Sequence, residues 1–91
     1  MKLEENVYLG KLFDAYGKLL TKVQFQILDY YLNDDLTISE IGQNLNVSRQ
    51  AVLDGMTKGE KKLKFFEETL GFVQKIENLE KENEHLRSKL K

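Results

Sequence analysis

Ser48, Arg49 and Gln50, followed at helical spacing by Leu53, Thr57, Lys58 and Lys61, form the group of side chains in this sequence best suited to touching a polyanion. A guanidinium can grip the O6 and N7 of guanine as a fork, a carboxamide can do the same for N6 and N7 of adenine, and a hydroxyl at a helix start can hold a phosphate beside the first free N–H groups. Lys58 and Lys61 would neutralise phosphates, which positions a protein without conveying sequence. Asp54 interrupts the set. A carboxylate turned toward a polyanion needs a basic neighbour or a cytosine amino group, or it costs affinity.

Catalytic chemistry has no comparable set. The chain has no cysteine, no phosphate-cradling glycine loop and a single histidine, His85, alone on a charged stretch. One imidazole makes neither a metal site nor a proton-relay pair. Asp14, Asp34 and Asp35 fit surface and cap charges. The expectation is a non-enzymatic protein with no metal, no cofactor and no small-molecule substrate.

The elements that must carry these residues follow from composition and spacing. With 91 residues, no proline and 41% hydrophobic content, there is material for one small core and an appendage. Without cysteine, stability must come from packing, which suits a reducing compartment. No apolar run approaches the roughly 20 residues a membrane span needs, and MKLEENVYLG lacks the basic flank and apolar centre of a signal peptide. A cytoplasmic protein with no membrane partner is expected. The net charge of -1 hides an asymmetry: residues 1–47 carry 4 lysines against 7 carboxylates, whereas 48–64 carry Arg49, Lys58, Lys61, Lys62 and Lys64 against Asp54 and Glu60.

Apolar residues recur with helical period nearly throughout, and β-branched runs are missing, so the chain should be all-α. A first helix over roughly 4–18 would align Leu9, Leu12, Phe13 and Tyr16, ending near Gly17. Thr21 and Gln24 form a capping box, flanked by Leu20 and Phe25 as a hydrophobic staple, and start a second helix that should run to about Leu32 and bury Phe25, Leu28, Tyr31 and Leu32. Thr37 and Glu40 repeat the device, with Leu36 and Ile41 as the staple, for a short helix over 38–45. Asn46 tolerates positive φ and can end it sharply, and Ser48 caps the next helix, with Val47 and Val52 as a third staple. The stripe Val52, Met56, Leu63, Phe66 and Leu70 then supports a long fourth helix. Gly55 and Gly59 should loosen it, at about 1 kcal/mol each relative to Ala.

Two helices meeting across Asn46-Val47-Ser48, with small Gly42 where close packing is needed, make a helix-turn-helix pattern. The second helix of such a pair enters a DNA major groove and reads base edges near its N-terminus. A tri-helical corner of this kind also closes small cores that bind proteins, so the shape does not by itself select the ligand.

The segments LFDAYGKLLTKVQ (12–24), YYLNDDLTISEIGQ (30–43) and VSRQAVLDGM (47–56) resemble the YlxM family of small bacterial proteins, the likeness covering roughly Leu12 to Leu70. That resemblance implies a sigma factor region 4-like helix-turn-helix with a winged-helix-like three-helix core; the long C-terminal helix expected after it rests on spacing alone. The resemblance also implies a role as a regulatory or accessory factor of the signal recognition particle pathway. Ser48, Arg49, Gln50, Ala51 and Val52 match the family's most distinctive motif, and Leu12, Phe13, Tyr16 and Gly17 its opening helix. Gly42 stands where Ala is more usual, and Leu53 and Gly55 replace an aromatic and a polar residue after SRQAV, on or beside the expected contact face. DNA, signal recognition particle RNA and particle protein are all candidate partners, and a protein-only adaptor is a further reading.

Beyond Gly71 the tail carries Phe72, Ile76, Leu79, Asn83, Leu86 and Leu90 at alternating spacings of four and three, a heptad seam with a and d filled. In a parallel pair Lys75 would face Glu80 and Glu82 would face Arg87, and Asn83 at a buried a position would fix register. The expected organisation is a helix-turn-helix domain over 1–71 and a coiled-coil-like helix over 72–91 that supports a homodimer. The alternative is a tail that folds back on its own core.

Overall fold

A computed structural model describes residues 3–90; Met1, Lys2 and Lys91, at the outer limits of the two expected segments, lie outside the described residues. Five α-helices follow one another, α1 (Leu3–Tyr16), α2 (Lys22–Leu32), α3 (Ile38–Leu45), α4 (Arg49–Leu70) and α5 (Phe72–Lys89), with a 3-10 turn at Gly17–Leu19 between the first two. No strand occurs among the described residues.

The first helix stops two residues short of the expected end, because the chain tightens at Gly17. The Leu20 N–H bonds the Gly17 carbonyl at 3.0 Å, and the Phe13 and Phe25 rings, with centroids 5.0 Å apart, close over the turn. A Cβ on Gly17 would lie 3.1 Å from the Phe13 ring, so any larger residue would push that ring back by a few tenths of an ångström. Both capping boxes form. The Thr21 hydroxyl accepts from the Gln24 N–H at 3.2 Å while the Gln24 side chain accepts from the Thr21 N–H at 3.2 Å. Thr37 and Glu40 exchange the same two bonds at 3.1 and 3.0 Å. The Thr37 N–H, aided by the Thr37 side chain, holds the Glu40 carboxyl below its ordinary range.

The core lies where α1, α2 and α3 meet α4, around Leu12, Leu28, Ile41, Val52 and Leu63, all with no exposed surface. Here α2 departs from the spacing-based expectation. Leu28 is buried, but Phe25, Tyr31 and Leu32 are only partly so, and Ile27 takes the central place instead. The reason sits on α4. Ile27 and Leu28 face the glycines: a Cβ on Gly55 would come 2.5 Å from Ile27 Cδ1, and one on Gly59 2.9 Å from Leu28 Cδ1. Gly55 and Gly59 therefore let α2 approach closely, and α4 runs unbroken for 22 residues. Toward its end Phe66 is partly buried, its ring 6.0 Å from that of Tyr16 on α1, and Leu70 is exposed.

Gly71 ends α4 and starts α5 at once, in the left-handed conformation with φ 64°. Its N–H bonds the Glu67 carbonyl at 2.8 Å, and its own carbonyl accepts from the Lys75 N–H at 3.0 Å. The tail then runs back along α1: Val73 is buried against the core, and Lys11 pairs with Glu77 at 2.9 Å. From Asn78 onward every described residue of α5 is exposed.

Candidate nucleic-acid interface

The corner is built by three local devices. Asn46 adopts φ 56° and ψ 46°, ending α3, and the Val47 N–H returns to the Gly42 carbonyl at 3.0 Å. Any side chain at position 42 would press on that turn, since a Cβ there would sit 3.0 Å from the Val47 carbonyl oxygen. Ser48 then caps α4, its hydroxyl oxygen accepting from the Ala51 N–H at 3.0 Å. Ile41 and Val52, both fully buried, lock the two helices together beneath the corner.

With Val52 and Met56 turned inward, helical geometry turns the next positions out. Ser48, Arg49, Gln50, Leu53, Thr57, Lys58 and Lys61 are all exposed. Arg49, Lys58 and Lys61 take part in no ion pair; among the described residues the one such pair is Lys11 with Glu77. From Arg49 to Lys61 the helix advances about 18 Å at 1.5 Å per residue. The cations are thus spread along and around the helix, with Arg49 half a turn from Lys58, and do not cluster at a point.

The uncharged members of the set are partly committed. Gln50 donates one side-chain N–H to Asp54 at 3.0 Å, so the carboxylate on this face has a neutral partner one turn away. Thr57 donates its hydroxyl to the Leu53 carbonyl at 3.0 Å. Among the described residues, what stays free is Arg49, Lys58 and Lys61, the second side-chain N–H and the carbonyl oxygen of Gln50, and the Ser48 hydroxyl proton.

Two contributors lie outside the expected contact set. Lys62, one of the cations of the basic segment, is exposed beside Lys61. A shallow cavity of about 370 Å³ lies across the corner, lined by Ser39, Gly42, Gln43, Asn46, Val47 and Arg49. The signal for it was present, because Ser39 and Gln43 are one turn apart on the polar side of a helix whose other side holds Ile41.

The second group of singled-out residues lies elsewhere. Phe72, Ile76, Leu79, Leu86 and Leu90 are each half or more exposed, and Asn83 is exposed among them. The root of α5 is fastened by a cluster that spacing could not reveal. The Glu67 carboxylate accepts from the Tyr16 hydroxyl at 2.6 Å and from the Val73 and Gln74 N–H groups at 3.1 and 3.0 Å, while the Tyr16 oxygen accepts from the Phe72 N–H at 3.1 Å. Burial alone would raise the Glu67 carboxyl, but these three bonds together outweigh it and hold the group below its ordinary range. Burial, then the bond to Glu67, pushes the Tyr16 phenol up. Glu67 thereby serves α5 as the N-terminal cap that Gly71, lacking a side chain, cannot supply.

No helix among the described residues is long and apolar enough to cross a membrane. A family model described as "UPF0122: Putative helix-turn-helix protein, YlxM / p13 like" matches residues 3–91. Among similar proteins, a UPF0122 protein of Acetivibrio thermocellus is 52% identical over 65 residues, which cover 71% of this chain and 56% of that protein. One from Caldanaerobacter subterraneus subsp. tengcongensis is 36% identical over 84 residues, covering 92% and 72%. One from Fusobacterium nucleatum is 39% identical over 82 residues, covering 90% and 80%. The matched stretch thus spans little more than half the length of the Acetivibrio protein.

Proposed function

The chain belongs to the UPF0122 family of YlxM/p13-like helix-turn-helix proteins, and from that premise we propose that it is a non-enzymatic, cytoplasmic protein that binds nucleic acid through the outer face of α4. The observation that carries this reading is the set of exposed cations without acidic partners, Lys58 and Lys61 on the outer side of α4 and Arg49 at the helix-turn-helix corner. Phosphate neutralisation by such a set releases counterions, so binding weakens as salt rises. Within this reading Lys58 and Lys61 engage phosphates, and Arg49, Gln50, Leu53 and Thr57 meet the groove. Ser48 and the first N–H groups of α4 hold one further phosphate.

The test is a salt titration of affinity for a short duplex. The slope of log K against log salt should fall by about one for Lys58→Ala and again for Lys61→Ala. An affinity indifferent to salt overturns the reading.

A role as an accessory factor of the signal recognition particle pathway rests on the resemblance to the YlxM family. One observation favours particle RNA over a DNA site: one of the two Gln50 side-chain N–H groups goes to Asp54 and the Thr57 hydroxyl proton to Leu53. The neutral donors left on the face are the second Gln50 N–H and the Ser48 hydroxyl, beside the cations Arg49, Lys58, Lys61 and Lys62. Such a face suits phosphates and 2′-hydroxyls, where shape counts more than base sequence. Competition among particle RNA, particle protein and random duplex DNA at one fixed salt separates the two; preference for the random duplex eliminates the particle reading.

A further inference from the structure

We propose that a second copy of this chain covers the apolar seam of α5, parallel and in register, leaning into the groove between α1 and α5. This inference is independent of the nucleic-acid reading.

The seam demands a cover. Phe72, Ile76, Leu79 and Leu86 lie on one side of an 18-residue helix, Leu90 follows at its C-terminal cap, and none is less than half exposed. An apolar row of that length left to water marks a contact surface. The flanking charges select the occupant. In a parallel pair Lys75 faces Glu80 of the partner subunit and Glu82 faces Arg87 of the partner subunit, each attractive. The apolar row would close equally well antiparallel, setting Phe72 opposite Leu90, Ile76 opposite Leu86 and Leu79 opposite Asn83. That arrangement sets Lys75 toward Lys89 and makes Glu80 and Glu82 each meet its own copy, so like charges oppose it. A sequence whose flanks satisfy themselves in one orientation and repel in the other is self-complementary.

The fold-back of α5 supplies what the short tail lacks. Fewer than three heptads make a marginal pair when they stand alone. Here α1 already lies against α5 through buried Val73 and the Lys11–Glu77 pair, roughly a quarter turn around the helix from the seam. Between them runs a groove of about 310 Å³ lined by Ala15, Val73 and Ile76, by Asp14 and Glu80, and by the Lys11–Glu77 pair, whose lysine is already matched by its own carboxylate. A partner helix on the seam would lean into that groove with Lys75 of the partner subunit above Asp14 and Glu80. Three helices, not two, then bury Ile76. Asn83 of each copy would meet at the centre, where an amide pair holds register.

The experiment uses the full chain. Sedimentation equilibrium should give a dimer at tens of micromolar, and Leu79→Glu should shift dissociation at least tenfold higher while the unfolding midpoint of the monomer is kept. Lys75→Glu should weaken the dimer roughly three- to tenfold and Lys75→Glu with Glu80→Lys should restore it. Since the chain has no cysteine of its own, Asn83→Cys reports orientation: on mild oxidation it should cross-link copies efficiently if a faces a. A wild-type chain that stays monomeric at such concentrations overturns the proposal. So does a dimer in which Cys at 83 fails to cross-link, which would indicate the antiparallel form.

Discussion

The two longest helices meet at one residue yet are held in opposite ways. Helix α4 is gripped along one side by α1, α2 and α3, with Val52, Met56 and Leu63 buried and two glycines letting Ile27 and Leu28 come close. Helix α5 buries one side chain, Val73, and depends on a carboxylate cap and an ion pair at its root. The outer side of α4 is charged and content in water, whereas that of α5 is apolar and is not. A firmly held helix can present charges at fixed positions; a lightly held one acquires its definition from what binds it.

This contrast can be broken first in the core. Leu28→Ala, which empties the contact against Gly59, should cost about 2–5 kcal/mol in denaturant unfolding. Next, Gly59→Leu should cost about 1–3 kcal/mol by forcing α2 away. Gly59→Ala should cost less, because a helix-propensity gain of about 1 kcal/mol offsets the displaced Leu28 methyl.

At the junction, Glu67→Gln should cost about 1 kcal/mol, and hydrogen exchange at Val73 and Gln74 should speed up more than exchange in α2. Its sign with pH is defined. A carboxyl held low in the folded state adds stability that is present above its unfolded value and lost as pH falls through the folded one. Wild type should therefore weaken toward acid, and Glu67→Gln should flatten that limb. Tyr16, raised, contributes stability present below its unfolded value and lost as pH climbs through the folded one, so Tyr16→Phe should flatten the alkaline limb. The smallest effect is expected far along the tail. Leu86→Ala should change monomer stability by no more than about 0.5 kcal/mol, because its side chain meets little of its own chain.

Local chemistry was legible in the sequence. Thr21 with Gln24, Thr37 with Glu40, Asn46, Ser48 and Gly71 each place a helix end by interactions within a few residues, and each end lies where those residues put it. Exposure of Arg49, Lys58 and Lys61 followed from the same periodicity that buried Val52 and Met56. What spacing could not reveal depends on distant partners. Tyr16 and Glu67 are 51 positions apart, and nothing in either neighbourhood announces the other. Gly55 and Gly59 read as weak points until Ile27 and Leu28 are brought against them. Spacing favoured Phe25, Tyr31 and Leu32 over Ile27 because it ranks faces by size and ignores which neighbour is nearest. The Gln50–Asp54 bond lay within reach, being one turn apart, but Asp54 was weighed only against an outside ligand.

Because Gly71 belongs to both long helices, with no spacer between them, the junction is an elbow of fixed angle and fixed phase. Adding a single residue there would turn the tail by roughly 100° about its axis, swinging Ile76 and Leu79 off their common bearing and dragging Val73 from its seat. The length of that joint is therefore as strictly specified as any side chain, and a library of one-residue insertions and deletions should find it among the least forgiving sites in the molecule.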